Sequence, residues 1–147
     1  FQASNKIVNS VKYSVMIKIS DLKPGNLVMA EYEGQQLEGI VKEINNEDKE
    51  VGVDTGVQVF WFTPDKLTPL AMNDAILFKL GFSKEYLESG LAKYLRGPFR
   101  MVVKDDGKFA PLEIWYREDR RYFEEPLEVH QLQNKYLIMT KVELNQV

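Results

Sequence analysis

The single histidine of the chain, His130, is the first residue whose type could do chemistry, because imidazole serves as a general base and as a metal ligand. It stands in the stretch EVHQLQNKYLIMT, where helical spacing would bring Pro126, Leu127, Gln133 and Asn134 beside it. None of these neighbours is charged, and no H-x-x-x-H or E-x-x-H pair occurs. We therefore predict a surface or half-buried histidine, hydrogen-bonded locally near a helix N-terminus, with no catalytic or metal-binding role.

Neither cysteine nor the acidic residues of the sequence indicate a catalytic site. The chain has no cysteine, which excludes disulfides, zinc–thiolate sites and a cysteine nucleophile, and fits a reducing, cytoplasmic setting. The stretch NNEDKE (residues 45–50) and the pair Asp105-Asp106 lie in predicted turns and lack the EF-hand pattern. We interpret both as solvated turns, and a hydrolase that uses them ranks last among the hypotheses. The sequence predicts no catalytic residue, no metal site and no cofactor.

Aromatic and arginine side chains are the better candidates for a binding surface. The strand-like stretch VFWF and the later stretch IWYREDRRYF could present rings for stacking and guanidinium groups for phosphate contacts. Because alternate residues of a strand face opposite sides, about half of these rings belong to the core, and the sequence leaves open which half. The candidate binding residues are Phe60, Phe62, Trp115, Arg117, Arg120 and Arg121.

Charge is distributed unevenly along the 147 residues, although the net charge is only −3. Residues 21–70 contain four lysines and ten acidic residues, a balance of −6, whereas residues 71–147 contain twelve residues of each sign. A nucleic-acid binder that is indifferent to sequence usually presents a basic face. The acidic first half is therefore poorly suited to nucleic acid, and only the neutral second half could bind it.

The elements that would position these residues fall into two groups. Residues 16–70 contain short strand-like stretches (NLVMAEY, LEGIVKEI, VGVDTG, VQVFWF) separated by the turns KPGN, EGQ, NNEDKE and DTG, which predicts an SH3-like small β-barrel. From residue 71 the period changes, and Asn73 is the predicted cap of a helix that ends at Gly81. The following stretch, SKEYLESGLAKYL, is either a second short helix capped by Ser83 or a loop leading into a strand.

The remainder of the second group alternates again. Asp105-Asp106-Gly107-Lys108 between FRMVVK and FAPLEIWYR predicts a hairpin, and RRYFEEP predicts a further strand. Apolar residues at helical spacing from Val129 to Thr140 predict a closing amphipathic helix that docks on the sheet. Residues 1–15 are interpreted either as a tag or leader, with Met16 as the natural start, or as an N-terminal strand.

Three blocks of the chain resemble a known group of proteins. The blocks ISDLKPGNLV, LAMNDAILFKLGF and VHQLQNKYLIMT…EL resemble small uncharacterised proteins encoded in Bacteroidetes genomes, often on phages and mobile elements. The resemblance covers most of Met16 to Leu144, and its last block is the most specific. The chain departs from the group at Met139 and at Lys141-Val142, where the group has a small residue and glycine-glutamate. The resemblance implies a shared fold and no particular activity.

Together these observations predict an α+β protein with an SH3-like barrel at residues 16–70, followed at 71–147 by a helix, a β-hairpin unit and a C-terminal helix. The favoured function is a non-enzymatic protein-binding or adaptor module, phage- or mobile-element-derived and cytoplasmic. The alternative is a nucleic-acid-binding protein that uses the C-terminal sheet. No apolar run approaches the roughly 20 residues that span a bilayer, so we expect no membrane partner.

Overall fold

The computed structural model describes residues 17–147, and the chain divides into two compact units, with Leu70 as the last residue of the first and Ala71 as the first of the second. Each unit contains one five-stranded antiparallel sheet, and the two α-helices found in the described residues both belong to the second unit. The protein is therefore α+β. None of the helices in residues 17–147 has the length and apolar character required to cross a membrane. The alternative strand at residues 1–15 lies outside the described residues.

The first unit is built on a sheet with the strand order β4-β3-β2-β1-β5, and every neighbouring pair is antiparallel. A short 3-10 turn, Pro64–Lys66, separates β4 from β5. No pairing joins β4 to β5 in the described residues of this unit, so the sheet is not closed into a barrel by hydrogen bonds. The strands are β1 (Leu27–Tyr32), β2 (Gln35–Asn45), β3 (Glu50–Asp54), β4 (Val59–Phe62) and β5 (Leu67–Thr68).

Local sequence explains the turns of the first sheet. Tyr32 pairs with Gln35, so β1 and β2 are joined by the two-residue turn Glu33-Gly34, in which both residues have positive φ (50° and 78°). Two positive φ angles are what a tight hairpin turn of the favoured twist requires. The predicted hairpin at this position is confirmed, and so is the polar loop between β2 and β3.

The inward face of this sheet forms the core of the first unit. A β-bulge between Val41 and Glu43 interrupts the register of the long strand β2, and a bulge of this kind bends the strand that carries it. Half-buried aromatic rings extend the core at one side, where Phe60 stacks on Tyr32 with ring centroids 4.5 Å apart. The buried residues of the cluster are Ile17, Leu22, Val28, Ala30, Val41, Val51, Val53, Phe62 and Leu67.

The second unit contains a meander in which each strand pairs with the next, in the order β10-β9-β8-β7-β6. The predicted hairpin is confirmed as the pair β8 and β9, and the predicted strand at RRYFEEP is confirmed as β10. Alternate residues of β8, such as Phe99, Met101 and Val103, are buried on one face. The strands are β6 (Ser83–Tyr86), β7 (Leu91–Arg96), β8 (Phe99–Lys104), β9 (Leu112–Tyr116) and β10 (Asp119–Phe123).

Helix α1 (Asp74–Lys79) has the ends that the sequence predicts. The Asn73 side chain accepts a hydrogen bond from the Ile76 amide at 2.8 Å, which satisfies one of the free N–H groups of the first turn. At the other end Gly81 has a φ of 90°, a conformation that glycine adopts without strain. The amide of Phe82 then donates to the Leu77 carbonyl, so the buried Phe82 closes the helix.

Helix α2 (Val129–Thr140) covers the buried face of the second sheet and has the bounds that the apolar spacing predicts. Its N-terminus carries a capping box formed by Glu128 and Gln131. The Tyr136 ring lies 4.7 Å from the Phe99 ring and 6.5 Å from the Phe82 ring, measured between centroids. These contacts join the helix to β8 and to the end of α1.

Two local predictions for the second unit need correction. Of the two alternatives for SKEYLESGLAKYL, the second short helix does not form, whereas the strand at its end is confirmed as β7; the chain runs as β6, a 3-10 turn and β7. Strands form in place of a helix because the β6–β7 pairing satisfies the backbone hydrogen-bonding groups of both stretches. His130 is not a surface or half-buried residue: it is 3% exposed in the first turn of α2, where the helix packs onto its unit.

Candidate functional site

An apolar surface lies on the outward side of β4 at one edge of the first sheet. We define the β4 face as Gly52, Val57, Val59 and Trp61. Val57 is 89% exposed, Val59 42% and Trp61 46%, which is unusual for three large apolar residues so close in sequence. Gly52 faces Trp61 across the strand pair, and a Cβ placed on it would lie 3.3 Å from Val59 and 3.4 Å from the indole. Because Gly52 has no side chain, Val59 and the indole can approach its backbone closely.

Acidic residues border the β4 face. Asp54 pairs with Val59 across the sheet, and Glu43 pairs with Gly52 on the next strand. Glu50 occupies the outward parity of β3, two residues from Gly52. The Asp54 carboxylate also accepts a hydrogen bond from the Gly56 amide at 2.9 Å, which holds the turn before β4 in place. The result is an apolar strip with a negative margin.

The strand parity corrects the sequence-based candidates in β4. Phe62 is 5% exposed and belongs to the core, so it is withdrawn as a binding residue. Phe60 is half-buried between Tyr32 and Phe62 and also faces inward. The outward residue between them, Trp61, was missed. A two-residue turn at Gly56-Val57 would have revealed it, because that turn pairs Val59 with the charged, outward Asp54.

The second sheet brings Trp115 and Arg120 together on its outward face, with a third residue that sequence reasoning missed. Arg100, Trp115 and Arg120 are cross-strand neighbours on β8, β9 and β10. The Arg120 guanidinium lies 3.8 Å from the centroid of the Trp115 ring, and that of Arg100 lies 5.6 Å from it. The indole N–H donates to the Glu113 carboxylate, so the ring is fixed in orientation. We call Arg100, Trp115 and Arg120 the arginine–tryptophan row.

The other two predicted arginines lie elsewhere. Arg121 has the opposite parity to Arg120 and pairs with Asp119 at 3.2 Å. Arg117 occupies the turn between β9 and β10, where its guanidinium lies 5.2 Å from the Tyr116 ring centroid. The three predicted arginines therefore do not form one site.

A polar cluster forms within the second unit, which we call the Lys84 cluster: Lys84, Asp74, Asp105 and Tyr94. The Lys84 ammonium lies 3.1 Å from the Asp74 carboxylate and 3.0 Å from that of Asp105, while its side chain is only 10% exposed. The Tyr94 hydroxyl donates to Asp74 at 2.6 Å. The cluster joins α1, β6, β7 and the loop after β8.

The titration of the Lys84 cluster follows from these contacts. The hydrogen bond from Tyr94, with help from Lys84, lowers the pKa of Asp74. Hydrogen bonds to Asp105 and Asp74 raise the pKa of Lys84 above its ordinary value. Burial, followed by the hydrogen bond to Asp74, raises the pKa of Tyr94 to about 12. At neutral pH the cluster is a satisfied ion network, and a nucleophilic lysine would need the opposite shift.

The acidic turns considered as candidate sites from the sequence have structural roles. The Asp48 amide donates to Asn45, and the Lys108 amide donates to Asp106, so both predicted acidic turns use side-chain oxygens to hold their backbone. Asp105 lies in an exposed turn, as predicted, and its carboxylate also belongs to the Lys84 cluster. No group of three or more acidic or histidine side chains suited to a metal ion occurs between residues 17 and 147.

Comparisons with known proteins identify no family for the chain. No protein-family model, curated protein or solved structure matches the chain.

Proposed function

We propose that the chain is a non-enzymatic protein-binding or adaptor module that contacts its partner through the β4 face. The observation that carries the proposal is the exposure of Val59 and Trp61 on the outward side of β4, together with that of Val57 in the turn that precedes the strand. Contiguous apolar surface is costly to leave in water, and on soluble proteins it usually marks an interaction site. Tryptophan is also among the residues that contribute most to binding energy at protein interfaces.

The architecture of the first unit supports the proposal that it is an SH3-like barrel. Its strands are short and antiparallel, β1 pairs with both β2 and β5, and the long strand β2 is bent by a bulge. A bulge of this kind is how a single strand contributes to two sides of a small barrel. Such a scaffold would hold Val59 and Trp61 rigidly, which lowers the entropic cost of binding.

The origin of the chain is a separate part of the proposal. The three sequence blocks support membership of the group encoded by Bacteroidetes phages and mobile elements. That group brings no activity with it, so it agrees with a binding role without specifying the partner.

The proposal is tested by retention of a partner from an extract of the cells that encode the chain. Three baits are compared: the wild-type chain, the double variant V59A/W61A, and the control Phe78→Ala. Phe78 is 47% exposed on α1 in the other unit, so the control removes a ring as exposed as Trp61. We expect the wild-type and control baits to retain the same protein and the double variant to lose it. Equal retention by all three baits would refute the role of the β4 face.

A second candidate function is nucleic-acid binding through the arginine–tryptophan row. The observation that favours it is the fixed placement of two guanidinium groups on one face of the sheet, held by contact with Trp115. Guanidinium groups contact phosphate readily, and the second unit lacks the acidic excess of the first. This candidate ranks second because Arg120 covers one face of the indole, the face that a base would need for stacking.

Fluorescence anisotropy with labelled single-stranded and duplex oligonucleotides tests the second candidate. Binding that weakens steeply between low and moderate salt, and that is lost in R100A/R120A, would support it. Arg121→Ala is the matched control because Arg121 lies on the opposite face and is already paired with Asp119. Absence of binding at low salt would remove this candidate.

A further inference from the structure

We infer that the partner of the β4 face is an extended polypeptide segment that adds to the open edge of β4 as a further strand, with basic residues among its apolar ones. The inference rests on the proposed function and specifies its partner. Three features of residues 17–147 support it: the edge of β4 without a further paired strand, the direction of the backbone groups of β4, and the acidic border.

The edge of β4 differs from the other three sheet edges of the described residues. Edge strands expose unpaired N–H and C=O groups, and natural proteins protect them by shortness or by charge. Strand β5 has only two residues, β6 contains Lys84 and Glu85, and β10 contains Asp119, Arg120 and Arg121. Strand β4, with the sequence VFWF, has neither charge nor proline. In the described part of the chain, β3 is its sole strand neighbour.

The backbone of β4 places its free groups beside its exposed side chains. The Thr55 amide donates to the Gln58 carbonyl, which makes Thr55 and Gln58 a hydrogen-bonded pair at the turn. Pairs in an antiparallel ladder alternate, so Val59 opposite Asp54 and Trp61 opposite Gly52 are non-hydrogen-bonded pairs. The N–H and C=O groups of Val59 and Trp61 therefore point away from β3, toward the open edge. An incoming strand would meet the backbone and the apolar side chains of the same two residues.

The acidic residues beside the β4 face favour an incoming strand that carries basic residues. Glu43, Glu50 and Asp54 lie on the same face as Val59 and Trp61, one and two strands inward from the edge. Neighbouring strands are about 4.8 Å apart, so an added strand would lie about 10 Å, or about one Debye length, from Glu50 and Asp54 on β3 and about 14 Å from Glu43 on β2. Lysine or arginine on its outward positions would be attracted. A second copy of β4 would bring a second set of the same carboxylates, which disfavours self-pairing.

The experiment uses an acetylated, amidated peptide of alternating valine and lysine as the probe, with the full chain as receptor. Two further peptides carry N-methyl groups, one on the odd-numbered amides and one on the even-numbered amides. In an added strand only one set of amides faces β4, so we expect one methylated peptide to bind about tenfold more weakly and the other to bind unchanged. A peptide with glutamate in place of lysine is expected to bind at least tenfold more weakly.

Variants of the chain identify the edge. Val59→Lys adds a positive charge at an exposed position, and we expect this variant to bind the probe about tenfold more weakly than the wild-type chain does. We expect the same loss of affinity for Trp61→Ala. Phe78→Ala is the control, and circular dichroism verifies that each variant is folded. Because Val59 and Trp61 face away from the core, at least one of the two variants is expected to remain folded.

Several results would overturn the inference. They are an absence of probe binding, an equal effect of the two methylated peptides, equal binding of the glutamate peptide, and self-association of the chain that Val59→Lys abolishes. If one of these occurs while the cell-extract partner still depends on the β4 face, the proposed function stands and strand addition fails. If the extract partner is indifferent to that face, the proposed function itself fails.

Discussion

The Lys84 cluster and the β4 face differ in what they expose to water: the first withdraws a charged side chain from water, and the second leaves apolar side chains in it. In the second unit a lysine is largely withdrawn from water, and each of its close contacts is a carboxylate or a ring. In the first unit Trp61 and Val59 remain in water although Phe60 and Phe62 of the same strand are packed inward. The comparison teaches that a half-buried charge is structural once its own unit satisfies it, whereas an apolar strip that the described residues leave exposed is still able to bind a partner.

The largest expected effect compares neighbouring residues of β4. Phe62→Ala removes a buried ring and should lower the free energy of unfolding by about 3–5 kcal/mol. Trp61→Ala should lower it by less than about 1 kcal/mol, because the indole faces water. Urea denaturation followed by circular dichroism measures both. If the two variants were equally destabilised, the assignment of inward and outward residues in β4 would be wrong.

The next prediction concerns the Lys84 cluster. Lys84→Ala leaves the Asp74 and Asp105 carboxylates without their common cation and should cost about 1–3 kcal/mol of stability. Lys93→Ala is the control, because the Lys93–Glu85 pair is more exposed and should contribute less than about 1 kcal/mol. Equal, small losses in the two variants would show that the cluster is no more than a surface ion pair.

The pH dependence of stability sharpens the same contrast. The folded-state pKa of Asp74 lies below its ordinary value of 3.8, so its contribution is present above that pH and is lost as pH falls through the folded-state pKa. Because the carboxylate is partly exposed, the contribution should be at most about 1 kcal/mol. Thermal unfolding of Asp74→Asn should therefore show a shallower loss of stability below this pH than the wild type. An identical loss of thermal stability with falling pH in the variant and the wild type would contradict the prediction.

The smallest effect concerns the acidic border of the β4 face. Asp54→Asn keeps a side-chain oxygen that can accept from the Gly56 amide while it removes one negative charge. The valine–lysine probe should bind this variant about two- to threefold more weakly, because charges at an interface rim contribute little. Anisotropy at low salt measures the change. Glu113→Gln in the other unit should leave probe binding unchanged.

Local signals in the sequence predicted most elements but few of the spatial neighbours. The cap at Asn73, the C-terminal glycine at Gly81 and the bounds of α2 depend on residues within one or two helical turns, so the sequence contains them. The burial of His130 depends on what packs around the first turn of α2, which periodicity does not reveal.

The candidate sites were harder to predict because they depend on strand pairing. Arg100 meets Trp115 only through the β8–β9 register, and Lys84 meets Asp105 across 21 positions of the chain. The inward Phe62 and the outward Trp61 have the same strand propensity, so their roles are decided by the turn that sets the register. Trp115 and Arg120 were predicted as binding residues and do lie together, but their binding role stays a prediction.

Amide hydrogen exchange, followed residue by residue by nuclear magnetic resonance, tests the central claim about β4 most directly. In the free chain the amides of Val59 and Trp61 should exchange rapidly and those of Phe60 and Phe62 slowly, because only the amides of Phe60 and Phe62 point toward β3 and donate hydrogen bonds to it. Addition of the valine–lysine probe should slow exchange at Val59 and Trp61 and leave Phe60 and Phe62 unchanged. If Val59 and Trp61 are already protected in the free chain, or remain unprotected with the probe bound, β4 is not an open edge that receives a partner strand.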